Sequence, residues 1–373
     1  MARVASGDAA TALPGEVWTE VLGNLEGEDL VRALCACKTF SGLSSQAWQR
    51  ACFKRWPRWA SVAAEPNAQW RRQFELLSLR ELCESMTVDP AKIRATQTVI
   101  TERHRAILAE WLCELAYDWN LETTLVFKSI YYLDFYLATQ PAELSRLQLI
   151  GMSCLRAAMG DAREPTSLSV SSGDARKGLE ASRFAHASDD AYSESDVEEW
   201  TLAVQNSIPP GFRISPNPKM FLRSFWYRAC VQGVVGQDDM HVYTLAGFLS
   251  QLALLDLDAA VVPAPRAAAA ALAAALAFYG HGVWPPALVR FGSFEEAELT
   301  PDAARLWRLQ ATVEAPQLRR IWVGRYAANG YEERRREWAA ALAVFAAKGA
   351  REGGWQSWAD AGMGLLEEPM LME

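Results

Sequence analysis

Between Arg103 and Gly151 three stretches repeat one pattern: HRAILAEWLCELA at His104–Ala116, YYLDFYLATQ at Tyr131–Gln140 and LQLIG at Leu147–Gly151. Their apolar residues recur every three or four positions, the period of a helix with one face turned to a core. Almost every other ordered stretch keeps this period, and none alternates apolar and polar residues as a half-buried strand does. The spacing predicts an all-α fold. SIPPGFRISPNP at Ser207–Pro218 interrupts it, because proline removes a backbone donor and restricts the residue before it. That segment reads as a linker between two helical repeats.

At 373 residues the chain has room for two or three domains with sizeable cores. A net charge of −8, from 37 basic and 45 acidic residues, offers no positive field for nucleic acid. Seven cysteines (35, 37, 52, 83, 113, 154 and 230) form no Cys-x-x-Cys pair, and only four histidines accompany them. This points to a reducing compartment, nucleus and/or cytoplasm, and to no bound metal. MARVASGDAA at the N-terminus lacks the apolar core of a signal peptide. The most apolar run, Ala267–Tyr279, is mostly alanine, short for a membrane span and a strong helix former. It predicts a close-packed core helix and no membrane partner. His104, His186, His241 and His281 are scattered, no glycine-rich phosphate loop occurs, and no cysteine has a nucleophile setting. No catalytic residue, cofactor or enzymatic activity is therefore expected.

Residues 1–12, small and polar, are expected to be disordered. Residues 13–59 predict three short helices. Leu13-Pro14 with Glu16 suits a helix start, and Val17, Val21, Leu22 and Leu25 then share a face. Leu30, Leu34 and Cys37 repeat the pattern, and Ser45 can cap a third helix carrying Trp48, Cys52 and Trp56. So small a module is expected to hide its apolar face against a partner. Residues 60–90 form a helical linker containing WRRQFELLSLREL, 91–215 a first repeat, 216–348 a second, and 349–373 an acidic tail. A polar stretch, Glu164–Ser182, breaks the first repeat. In Ser193-Glu194-Ser195-Asp196 phosphorylation would add charge at a helix start, while Ser195 with Glu198 forms a capping box. Arg334-Arg335-Arg336, flanked by glutamates, reads as a solvated helix face or as a nuclear targeting signal.

LPGEVWTEVLGNL, DLVRALCACKTF and the tryptophan of AWQRACFKRW resemble an F-box. The resemblance implies that Leu13, Pro14, Leu22, Leu25, Leu30, Leu34 and Trp48 form its core or contact the Skp adaptor of a cullin ubiquitin ligase. The three stretches after Arg103 resemble a cyclin box. FLRSFWYRA, the AGFLSQLALLDLDAAVVPAPRAAAAALAAALAFYG segment and WRLQATVEAPQLRRIWVGRYAANGYEERRR resemble the C-terminal cyclin fold. The implied architecture is all-α: a three-helix F-box followed by two five-helix cyclin-like repeats.

The cyclin resemblance implies a docking patch for Arg-x-Leu peptides at His104, Ile107, Leu108, Trp111, Glu114, Leu147 and Gln148. An apolar cleft takes the leucine and Glu114 pairs with the arginine. His104 stands where the family usually has methionine, which retunes the cleft. Arg105 and Asp134 match a buried structural ion pair. A lysine and a glutamate that contact the kinase fall on Gly160 and Thr201, so that face is expected to be impaired. The expected function is the substrate-recognition subunit of a Skp-cullin-F-box ubiquitin ligase that recruits targets through the cyclin box in cell-cycle control. The alternative is a regulatory cyclin that activates a cyclin-dependent kinase.

Overall fold

The computed structural model describes residues 15–22, 24–25, 29–30, 33, 44–58, 69–161, 180–214, 217–236, 239–312 and 315–328. Among the described residues every regular element is a helix. In chain order these are α1 (Gly15–Leu22), α2 (Ser44–Arg55), α3 (Trp70–Ser85), α4 (Pro90–Thr96), α5 (Glu102–Asp118), α6 (Thr123–Thr139), α7 (Leu147–Gly160), α8 (Ala181–Ala187) and α9 (Glu194–Ser207). The second half holds α10 (Pro218–Val231), α11 (Met240–Leu252), α12 (Leu257–Ala260), α13 (Ala264–Phe278), α14 (Pro286–Gly292), α15 (Glu296–Thr312) and α16 (Pro316–Ala328). Leu13, Pro14, Leu34, Cys37, the terminal segments, most of Glu164–Ser182 and Arg334–Arg336 lie outside the described residues.

Contacts divide the chain into two units. The first comprises residues 1–82 together with Pro286–Phe294. Its core joins Leu22, Leu30, Ala47, Trp48, Ala51, Cys52, Trp70 and Phe74, with Leu25 and Trp56 packed against it. Phe74 meets Trp48 and Trp56 at ring distances of 5.0 and 5.2 Å, so aromatic area makes up for the shortness of α1 and α2. The buried face of α1 runs through Thr19 and Leu22 and leaves Val21 44% exposed. Helix α2 starts at Ser44, so Ser45, expected as its cap, lies inside the first turn. The late segment joins this unit through polar contacts. Gln73 Nε2 donates to Ser293 Oγ at 3.3 Å, Arg80 donates to the Ser293 carbonyl, and the Arg80 guanidinium lies 4.1 Å from the Phe294 ring centre.

The second unit, Cys83–Pro285 with Glu295–Glu373, holds both repeats. Helix starts follow local chemistry. Asp89 caps α4 ahead of Pro90, and Asn217 caps α10 ahead of Pro218. Thr101 caps α5 in a reciprocal pair with His104, whose Nδ1 accepts the Thr101 N–H. Helix α9 starts at Glu194, so its capping box is Ser193 with Asp196 and not the expected Ser195 with Glu198. Hydrogen bonds from Ser193 hold the Asp196 carboxyl below its ordinary value.

In the first repeat α7 packs against α5, α6 and α9. A methyl at Gly151 would sit 2.8 Å from Leu108 Cδ1, so glycine is what lets α7 approach α5. In the second repeat α13 is flanked by α10, α11 and α15, and every residue from Ala268 to Leu276 is fully buried. Alanine at nearly all of those positions keeps the surrounding helices close. Gly247 of α11 does the same for Trp322, whose ring a Cβ there would meet at 2.8 Å.

Candidate functional site

Helix α5 carries two faces with different chemistry. One is core: Arg105, Ala109, Leu112, Cys113 and Ala116 are at most 1% exposed. Arg105 makes a two-pronged contact with Asp134, Nε to Oδ1 at 2.5 Å and Nη2 to Oδ2 at 2.6 Å. Its third arm, Nη1, donates to the Leu254 carbonyl at 2.7 Å, so one guanidinium serves both repeats. A charge this deeply buried is tolerated because all its directions are filled.

The other face carries the residues expected to form the docking patch. Ile107 is 59% exposed, and His104, Trp111, Glu114 and Gln148 are half-buried. Leu108 and Leu147 are buried beneath them at 6% each. Ala106, next to them on the helix, is half-buried. A further element enters the site that the sequence did not foreshadow. Glu110 Oε1 accepts the Gln317 and Leu318 N–H groups at 2.9 and 3.2 Å, which caps the start of α16. Arg320 of the same helix pairs with Glu114 Oε1 at 3.0 Å. The carboxylate that an incoming arginine would use thus already holds a cation. The partners lie 206 residues apart in the chain, and no local motif could have announced them.

The two positions expected to face a kinase lie on α7 and α9, which pack side by side. Gly160 is exposed at the end of α7, where an added Cβ would meet only Gln205 Nε2, at 3.7 Å. Thr201 is 5% exposed and donates to the Val197 carbonyl at 2.6 Å, so its side chain belongs to the interior. The outer strip of α9 is Glu198, Glu199 and Leu202, and Leu202 is 60% exposed. Charge gathers beside Gly160. Asp161 Oδ2 accepts the Tyr132 hydroxyl at 2.8 Å, and its Oδ1 lies 4.0 Å from Arg213 Nη1. Burial pushes the Lys128 ammonium below its ordinary value, Asp161 pulls it back up, and Arg213 adds to the lowering.

Of the described positions that the F-box resemblance singled out, Leu22, Leu30 and Trp48 are buried at 2%, 0% and 4%, and Leu25 packs on the same cluster. Of the two roles implied for them, core and adaptor contact, their burial is that of core. Among the described residues no helix is long and apolar enough to cross a membrane.

Exposed apolar side chains bordered by carboxylates, on rigid paired helices, suit the docking of other proteins. Residues 74–208 match the cyclin N-terminal domain and residues 216–324 the cyclin C-terminal domain. The chain belongs to the cyclin family. Both repeats are cyclin-box domains, as the resemblance in the sequence implied.

Its relatives include the G2/mitotic-specific cyclin-B of Patella vulgata, 23% identical over 219 residues, 59% of this chain and 49% of that protein. The G2/mitotic-specific cyclin-B2 of Rana japonica is 29% identical over 203 residues, 54% and 46% of the two chains. Cyclin-A2-4 of Arabidopsis thaliana is 26% identical over 235 residues, 62% and 48%. The chain spans about half the length of these curated relatives. Among solved structures, a viral cyclin from herpesvirus saimiri aligns with 66% of this chain and 97% of its own, at 16% identity and a TM-score of 0.49.

Proposed function

We propose that this chain is a regulatory cyclin that binds and activates a cyclin-dependent kinase, with a role in cell-cycle control in the nucleus and/or cytoplasm. The observation that carries this reading is the pair of cyclin domains, shared with relatives named as mitotic cyclins. The geometry that supports it is the outer strip of α9, where Leu202 stands between solvent and the α7–α9 pair. With glycine at position 160, the cation at this contact comes from Arg213 or Lys128, both of which lie near Asp161. The purified chain added to cyclin-dependent kinases raises phosphorylation of a histone substrate, and Leu202→Asp removes the effect. Failure of any kinase to bind or respond sinks the reading.

The docking patch recruits substrates in the same scheme. Because Arg320 already pairs with Glu114, a peptide arginine has to displace it. Arg320→Ala is expected to tighten Arg-x-Leu peptide binding several-fold, and Ile107→Asp to abolish it, by fluorescence polarisation. Equal affinity for the parent chain and Arg320→Ala would show that the cleft does not use Glu114.

A second reading rests on the separate N-terminal core. It takes the chain as an F-box receptor of the cyclin F kind, with the Skp adaptor and a cullin as partners and the cyclin box as the substrate-binding part. The cluster around Trp48, Trp70 and Phe74 favours it, since it gives helices 15–22 and 44–55 a core of their own. Val21 is exposed there and makes a cleaner probe than the buried leucines. Purification of the tagged chain beside Val21→Asp decides: adaptor and cullin lost from the variant support the receptor, and a kinase in both with no adaptor in either rejects it.

A further inference from the structure

Two of the four histidines, 40 residues apart in sequence, meet in the second repeat. Asp239 immediately precedes α11, His241 lies in its first turn, and His281 follows the end of α13. One ligand atom from each lies within 4.8 Å of the others, and all three side chains are half-buried. Each is held by its own frame. Asp239 accepts the Gly236 N–H through Oδ2 at 2.7 Å, while Oδ1 lies 3.9 Å from His241 Nε2. The His241 ring stands against Tyr279 at a centroid distance of 4.3 Å. His281 is set by a Schellman turn: Gly280, with φ of 79°, donates to the Ala277 carbonyl, and the His281 N–H donates to that of Leu276. Gly282, with φ of 80°, turns the chain away on the other side.

Two imidazoles and a carboxylate are a favourable donor set for a divalent cation. Donor atoms around zinc, at about 2.0–2.1 Å from the ion, stand roughly 3.3 Å apart, so closure by about 1.5 Å or less through side-chain rotation completes the set.

We propose that Asp239, His241 and His281 form a three-ligand site for a divalent transition metal of the zinc class, its fourth position open to water. The backbone bond to Asp239 Oδ2 is the kind of outer contact that aims a ligating carboxylate. A bound ion ties the first turn of α11 to the end of α13. No sequence motif marks the site, because the ligands come from two separate helix ends.

The test uses the full chain, stripped with a chelator and titrated with Co²⁺ and then Zn²⁺. One equivalent of Co²⁺ gives weak visible bands without the strong near-ultraviolet absorption of a thiolate, and zinc displaces it. His281→Ala, at a half-buried loop position, weakens binding by roughly a hundredfold or more, beyond the usual effect of losing an outer-shell partner. His241→Ala does the same, and His186→Ala changes nothing. Zinc raises the Tm of the parent chain but not of His281→Ala, whose metal-free Tm and circular dichroism match the parent. Full-strength binding in His281→Ala, a thiolate band, or no saturable binding overturns the assignment.

Discussion

In the first repeat α5 is fixed by a charge: Arg105 and Asp134 sit at 2% and 4% side-chain exposure and satisfy each other at two points. In the second, the central α13 has no charged residue among its buried positions and packs through alanine. Related folds are thus held by opposite devices. A buried ion pair fails when one partner is removed, because the survivor is left charged and dry. An alanine helix fails when something is added, because its neighbours have already closed around it. The first repeat should be sensitive to loss and the second to gain.

The largest effect tests the first half of that contrast. Asp134→Ala strands Arg105 and is expected to cost about 3–5 kcal/mol in urea unfolding, while Arg105→Met with Asp134→Leu together cost far less. Equal losses for the single and double changes would mean that packing, not charge, fixes α5. Next comes volume. Ala271→Leu, at a fully buried position of α13, should destabilise by about 1–3 kcal/mol through overpacking. A neutral result would reveal slack around α13.

A matched pair sharpens the comparison. Gly151→Ala and Gly247→Ala each place a Cβ 2.8 Å from a neighbour, a leucine branch in one case and the Trp322 ring in the other. Leu108 can turn aside, whereas Trp322 is also held by its hydrogen bond to Gln251 at 2.7 Å. Gly247→Ala should therefore cost more, about 1–2 kcal/mol against a fraction of that. The reverse order would break the view that the second repeat is the tighter.

The smallest effect is acid-dependent. Burial pushes the Asp258 carboxyl up, but hydrogen bonds from Arg94 and Arg305 outweigh it and hold the group below its ordinary value of 3.8. A carboxylate lowered by folding adds stability that is complete above that value and is lost as the pH falls toward the folded one. Asp258→Asn should lower the Tm slightly at pH 7, where the contribution is complete, and converge with the parent below about pH 4, which flattens the acid limb of the profile. An unchanged acid limb would remove Asp258 from the account.

What the sequence disclosed was whatever depends on near neighbours. The alanine run reads as a close-packed core helix, and α13 is one. The cyclin resemblance placed Ile107, Leu108 and Trp111 in one patch, yet it could not separate exposed Ile107 from Leu108, which is buried beside Gly151. The cap of α9 was off by two residues because Ser193 and Ser195 each precede a carboxylate by three, and only the backbone at Ser193, extended at φ −74° and ψ 160°, selects between them. Arg320 at Glu114 and the meeting of His241 with His281 were hidden for another reason. They join residues that are distant along the chain, and one sequence carries no record of such pairings.

The bond between Arg80 and the Ser293 carbonyl spans 213 residues. During synthesis at roughly 5–20 residues per second, Arg80 leaves the ribosome roughly ten to forty seconds before its partner. The first unit to be made is therefore among the last to be finished, and until Pro286–Phe294 emerges, α3 lacks the contacts that Gln73 and Arg80 make with Ser293. The order in which this protein is read is not the order in which it can close.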